Sequence, residues 1–316
     1  MMERLSSAIQ KKYSYLNIST AIIAIIAGLL APSAVQILKP YMLPAVILMI
    51  WAMCTTMRFK EIALATKKVK QIFFGLLLNF GFMPLLCFFS ALIFLSSNPT
   101  WAVGFILMGT VPTAGMSIVW TGLLKGDTPL ALVIGALTML LGIAVIPTLT
   151  ALLAGVYVEI NVLDLARTVI LILAIPLTLG VVTRESMEKL TIPTKNLAIL
   201  PSISALISLF LIFTMISVNI SLLPPEANVI LSLILPPLLV FSMGFAGIYM
   251  ICSKLLNLPR KETIAIVYSS GMKHLPMAIG LAFASFGQMA ALPIALSVPF
   301  QTTFASVYYR IFQKII

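Results

Sequence analysis

Negative charge is what this chain has least of. Nine Asp and Glu stand among 316 residues, against 20 Lys and Arg. All nine (Glu3, Glu61, Asp127, Glu159, Asp164, Glu185, Glu188, Glu226, Glu262) lie in loops, in a tail or at the ends of apolar runs. The apolar interior therefore lacks the carboxylate pairs of general acid–base enzymes. His274 is the single histidine, which excludes HExxH metal hydrolysis and leaves little for a Ser/His/Asp set. Cys54, Cys87 and Cys252 fall within apolar segments, with the spacing of neither a metal site nor a disulfide framework. No loop is long enough to hold a soluble sensor domain. Enzyme and receptor functions thus find few of the residues they need.

What the chain has in abundance is hydrophobic surface: 61% apolar residues, 9% charged, and a mean hydropathy of +1.13. These values define a polytopic membrane protein. Apolar runs near the ~20 residues of a bilayer crossing occur at 18–37, 41–57, 71–95, 101–124, 128–154, 161–182, 197–219, 227–254, 263–286 and 289–309. Pro40 and Pro44 mark a tight first connection, and Leu223-Pro224-Pro225 and Leu258-Pro259 mark later ones. The basic segment Met1–Asn17 leads into a run without a small-residue cleavage site, so it reads as leading to a retained first span.

Cations fill every second connection: Arg4, Lys11 and Lys12 before the first run, Arg58, Lys60, Lys67, Lys68 and Lys70 after the second, then Lys125, then Arg184, Lys189 and Lys195, then Lys254, Arg260 and Lys261, then Arg310 and Lys314. This alternation accounts for the net charge of +11 without nucleic acid, and it places both termini in the cytoplasm. The expected fold is an all-α membrane protein of ten transmembrane helices. Its midpoint near Val156 divides it into two inverted five-helix repeats, 1–155 and 156–316. Such repeats carry solute sites on interrupted helices at matching positions. The fourth run contains Val111-Pro112-Thr113-Ala114-Gly115-Met116-Ser117 and the ninth contains Ser269 to Pro276. Both place Gly, Pro and hydroxyl residues midway, so both are expected to be discontinuous, with Pro112, Gly271 and Pro276 as helix-break residues.

The ninth run also holds Lys273. A charge at membrane depth costs at least about 2.5–3.5 kcal/mol and normally faces protein or water. As an ammonium, Lys273 is a candidate ligand for an organic anion, helped by the N–H groups that begin a half-helix. As a desolvated amine it is a candidate proton carrier. The structural alternative is a strut bonded to carbonyls of the broken fourth run. His274 is a candidate donor or relay. Asn79, Thr113, Gly115, Ser117, Ser269, Ser270 and Gln301 complete the candidate polar lining, although Ser and Thr in membrane helices commonly bond back to their own helix.

These residues carry a resemblance to the bile acid:sodium symporters, within the group that includes arsenite and auxin exporters. It rests on Pro112 through Asp127 (Pro112, Ser117, Thr121, Lys125-Gly126-Asp127), on Asn79-Phe80-Gly81-Phe82-Met83-Pro84, and on Glu262-Thr263-Ile264 leading to Gly271-Met272. The resemblance implies that the fourth and ninth helices cross at mid-bilayer. It also implies a panel of 18–37, 41–57, 161–182 and 197–219 facing a core of the other six, with solute bound behind the crossing. The sodium ligands it implies are mostly replaced: an asparagine by Ile118, hydroxyls by Ala131 and Gly135, a carboxylate by Ser269, a glutamine by Lys273, an asparagine by His274, and a third-span glutamine by Asn79. Without carboxylates, and with an ammonium near the ion's place, no sodium or other cofactor is expected. The expectation is a sodium-independent secondary transporter of a small organic anion, working by alternating access as a monomer in the cell (plasma or inner) membrane, with coupling to protons or counter-solute left open. The alternatives are an exporter of the arsenite or auxin type, a sodium-coupled symporter with altered sites, or a non-transporting receptor or enzyme.

Overall fold

The computed structural model describes residues 2–56, 68–190, 197, 199–224 and 226–314. Arg58, Lys60, Glu61, Lys67, Lys195 and Pro225, named above, lie outside them. Regular structure among the described residues is helical, apart from one isolated antiparallel bridge. The helices are α1 (Met2–Leu30), α2 (Pro32–Thr56), α3 (Val69–Phe94), α4 (Pro99–Thr110), α5 (Met116–Leu123), α6 (Thr128–Ala154), α7 (Val162–Lys189), α8 (Leu200–Ile220), α9 (Ala227–Leu255), α10 (Arg260–Gly271), α11 (Leu275–Phe286) and α12 (Gln288–Lys314).

Seven of these (α2, α3, α6, α7, α8, α9 and α12) are long and apolar enough to cross a membrane, which makes this a multi-pass membrane protein. Three of the ten apolar runs are not among these seven. In α1 the apolar stretch among the described residues is Tyr15–Leu30. The fourth run is divided into α4 and α5, and the ninth into α10 and α11. Pro112 offers no N–H and pushes Val111 out of helical geometry, to φ −70° and ψ 158°. In the second break Met272 is extended (φ −100°, ψ 113°), while Pro276 sits in the first turn of α11, where its missing N–H costs nothing. Gly271 itself stays helical as the last residue of α10. The first connection also moves. Helix α1 stops at Leu30, because Ala31 precedes Pro32 and leaves the helix at φ −139°, whereas Pro40 and Pro44 fall within the segment Pro32–Thr56.

Helix α1 packs on α8, α2 on α7 and α8, α3 on α4 and α9, and α12 on α4, α9 and α11. The outer helices turn Leu and Ile outward, such as Leu30, Ile93, Leu152 and Leu179. By contrast the stretches 101–113 and 262–275 are buried at every residue. A helix apolar on all sides belongs in the centre, and these two lead into the breaks. At Gly104 the backbones of α4 and α12 nearly touch: a Cβ there would lie 1.7 Å from the Ala290 carbonyl oxygen.

The turn after α5 explains Lys125-Gly126-Asp127 physically. Lys125 takes the left-handed conformation (φ 55°), and the Gly126 N–H closes back on the Thr121 carbonyl at 2.9 Å. A Cβ on Gly126 would meet Ile264 at 2.8 Å. Asp127 caps α6 through the Leu130 N–H at 3.0 Å. Its other oxygen accepts from Lys68, which also donates to Glu262 at 2.6 Å, and Gln71 donates to Glu262 at 2.9 Å. One ammonium thus ties together the starts of α3, α6 and α10. The hydrogen bond to Asp127, and then that to Glu262, raise the Lys68 pKa above the ordinary lysine value. A raised folded-state pKa means the contribution is complete below the unfolded value and lost as pH rises through the folded one. The melting-temperature gap between wild type and Lys68→Met in detergent should therefore be constant near neutrality and close above about pH 10.4. A gap that widens in alkali would contradict this.

Candidate functional site

A helix broken inside a membrane protein exposes backbone groups that hydrocarbon cannot satisfy. The two breaks solve this together. They lie antiparallel, Thr113 opposite Lys273. The Ala114 N–H donates to the Met272 carbonyl at 2.9 Å, and the His274 N–H to the Pro112 carbonyl at 2.9 Å. Gln301, on α12, takes both sides of the Lys273 peptide, accepting its N–H at 2.8 Å and donating to its carbonyl at 3.0 Å. The Thr113 N–H donates to the Thr138 hydroxyl at 3.2 Å.

Two further carbonyls are freed, and one side chain answers both. Residues Leu78–Phe82 form a π turn in which the Met83 N–H bonds to Leu78. The next bond in that register would join the Asn79 carbonyl to residue 84, which is proline and has no N–H. The Val111 carbonyl loses its partner at the break of α4. Lys273 Nζ donates to the Asn79 carbonyl at 2.6 Å, to Asn79 Oδ1 at 2.9 Å and to the Val111 carbonyl at 3.1 Å, with the Phe80 ring centre 5.7 Å away. Lys273 has no accessible surface, and the three protons of its ammonium are all engaged. Taking an ammonium out of water costs several kcal/mol, and hydrogen bonds to a charged donor return about 1.5–3 kcal/mol each. The two terms are of the same order, so an ammonium at this place needs all three oxygens.

Asn79 extends the lattice, its Nδ2 reaching the Thr113 hydroxyl at 3.1 Å and the Ser269 carbonyl at 3.2 Å. The Thr113 hydroxyl also donates to the Ser269 carbonyl, and Ser270 donates to the Gly75 carbonyl at 2.9 Å.

On the other side of the junction lies a cavity of about 320 Å³. Its wall includes Thr113, Gly115, Ser117, His274 and Gln301 from the sequence-derived set, with Tyr13 and Asn17 of α1, Met49 and Met53 of α2, Trp120 of α5, and Ser204 and Ser208 of α8. Asn79, Ser269 and Ser270 stand behind the junction, outside that wall. Lys273 belongs to the wall by position, but its ammonium points into the lattice. No Asp or Glu lines the cavity among the described residues. The Gly115 and Met116 N–H groups at the start of α5 have no partner among the described residues. Beside them the Ser117 hydroxyl is buried and unpaired. His274 Nδ1 accepts the Met277 N–H at 3.4 Å, which puts the ring proton on Nε2, 3.2 Å from Met53 Sδ. The wall thus gathers hydrogen-bond donors at a helix N-terminus, an arrangement suited to an anion.

Sequence reasoning missed Tyr13, Asn17, Ser204 and Ser208. Their polarity was visible, but the packing of α1 on α8 that turns them inward was not.

Two interrupted helices that pair at their breaks, with a solute-sized cavity before them, form an arrangement typical of membrane transporters. The model of the sodium bile acid symporter family matches residues 43–224, more than half of the chain, and the chain belongs to that family. It is 25% identical over 289 residues to the probable sodium/metabolite cotransporter BASS1, chloroplastic, of Arabidopsis thaliana, covering 91% of this chain and 70% of that one. It is 26% identical over 277 residues to the uncharacterized sodium-dependent transporter YocS of Bacillus subtilis (87% and 84% covered). It is 24% identical over 244 residues to the arsenical-resistance protein Acr3 of Corynebacterium glutamicum (70% and 63% covered).

Replacing Lys273 by Met leaves the Asn79 and Val111 carbonyls unpaired, at about 1–3 kcal/mol each. The variant should melt several degrees lower in detergent, and an unchanged melting temperature would show that the ammonium does not hold the junction.

Proposed function

We propose that this chain is a secondary transporter of a small organic anion, that it works by alternating access, and that it needs no sodium. Counting α1, the α4/α5 pair and the α10/α11 pair with the seven long helices gives ten crossings in two inverted repeats. The antiparallel meeting of the breaks supports this, because equivalent spans of inverted repeats run in opposite directions. Helices α1, α2, α7 and α8 form the panel, and the others the core. The cavity lies between them on the side of Tyr13, Thr56 and Pro201, which the basic loops assign to the cytoplasm of the cell membrane.

The observation that carries the proposal is the Lys273 ammonium. It already engages the Asn79 oxygens and the Val111 carbonyl, so on this reading the junction does not fit a sodium ion: a cation is built in. The anion meets the other face, at the Gly115 and Met116 N–H groups, Ser117 and His274, so the lysine positions that face without touching the solute. An arsenite-type exporter is less favoured, since none of the three cysteines lines the cavity.

Proteoliposome uptake over a panel of labelled organic acids, varying Na⁺ and pH separately, tests this. At least one acid should enter at the same rate in sodium and in choline buffer, and Lys273→Gln should lose that uptake. Uptake that vanishes without sodium would overturn the sodium-free mechanism, and no flux of any acid would overturn transport of organic anions. Proton or counter-solute coupling would show as a pH dependence or an exchange requirement.

A further inference from the structure

One polar residue of the cavity wall is unlike the rest. Asn17, on α1, is wholly buried, and neither its Oδ1 nor its Nδ2 has a hydrogen-bond partner. Tyr13, one turn earlier, lies close to its amide, but the Tyr13 hydroxyl is bonded to Ser208. The other polar side chains of the wall are mostly satisfied: Ser204 by the Met49 carbonyl, Thr302 by Val298, Thr113 by Ser269, and Gln301 by the Lys273 peptide. Leaving a buried amide unpaired is costly, so a protein retains one where something else pairs with it. A carboxamide presents one acceptor and a two-proton donor, and its complement is a neutral group that both accepts and donates. A carboxylate could accept only from the Nδ2 and would leave the Oδ1 unpaired, and an apolar group would leave both atoms unpaired.

We infer that Asn17 is a specificity-determining residue, and that the transported anion carries a second, uncharged donor–acceptor group, a carboxamide or hydroxyl, at the end away from its acid. The inference rests on the reading of the cavity as an organic-anion site. The α5 N-terminus takes the carboxylate, and α1 reads the far end. Apolar acids and dicarboxylates are thereby discriminated against, because a site built to hydrogen-bond a substrate group rejects the analogue that lacks it.

The test uses the full-length protein in detergent and two isosteric probes: the monoamide of glutaric acid, and the branched heptanoic acid with an isopropyl group in place of the carboxamide. Calorimetric titration of wild type should show the monoamide binding about tenfold or more tightly. Asn17→Leu should abolish that preference while still binding the branched acid, which also shows that the variant is folded. Equal binding of the two probes by wild type, or a preference that survives in Asn17→Leu, would overturn the role of Asn17 and leave the anion site standing. Failure of wild type to bind either probe would overturn the anion site, and this inference with it.

Discussion

The structure turns on one ammonium held by carbonyls that have lost their helical partners. A polytopic protein that interrupts two helices in the same region must find partners for backbone groups that neither lipid nor packing can satisfy. Here the breaks pair with each other, Gln301 takes the Lys273 peptide, and the amine of the same residue takes the Asn79 and Val111 carbonyls. The Asn79 carbonyl is available only because a π turn precedes Pro84, so a proline five residues away in α3 belongs to the same device as the prolines at the breaks. Lysine is suited to this place as a compact point charge with three donors that can rotate toward irregularly placed oxygens.

That arrangement divides the junction by function. One face, toward α3, is a polar lattice in which Asn79, Thr113, the Ser269 carbonyl and Lys273 join the two half-helices. The opposite face, toward the cavity, keeps the Gly115 and Met116 N–H groups and the Ser117 hydroxyl without partners among the described residues. On the proposed reading a solute meets only the second face, and the first supplies the rigidity that lets a short helix hold its N–H groups in place. Because the two faces share the residues 112–115 and 272–274, a change in one is felt in the other.

The sequence made much of this legible. Pro112 and the Gly/Pro pair around Lys273 pointed to interruption because prolines remove donors wherever they occur, and an isolated lysine in an apolar run pointed to a protein-facing partner. Other features depend on geometry that no local pattern carries. Gly271 was expected to open the helix, yet it ends α10 in helical conformation and the opening begins at Met272. Gln301 stands at the cavity, but its amide is spent on a peptide 28 residues away. Pro32 rather than Pro40 ends the first helix, since apolar residues continue unchanged through the actual bend. Asn17 could not be distinguished from an ordinary polar residue at a span end until α1 was seen packed on α8.

The most direct test of the central claim asks whether the junction has room for a metal ion. Thermal unfolding of the purified protein should be followed as sodium chloride replaces choline chloride at constant ionic strength, since an ion that binds the folded state raises the melting temperature with concentration. With the Lys273 ammonium in place, the melting temperature should be the same in both salts. A saturable rise specific to sodium would mean that the ion finds a site in spite of the lysine, and would contradict the account.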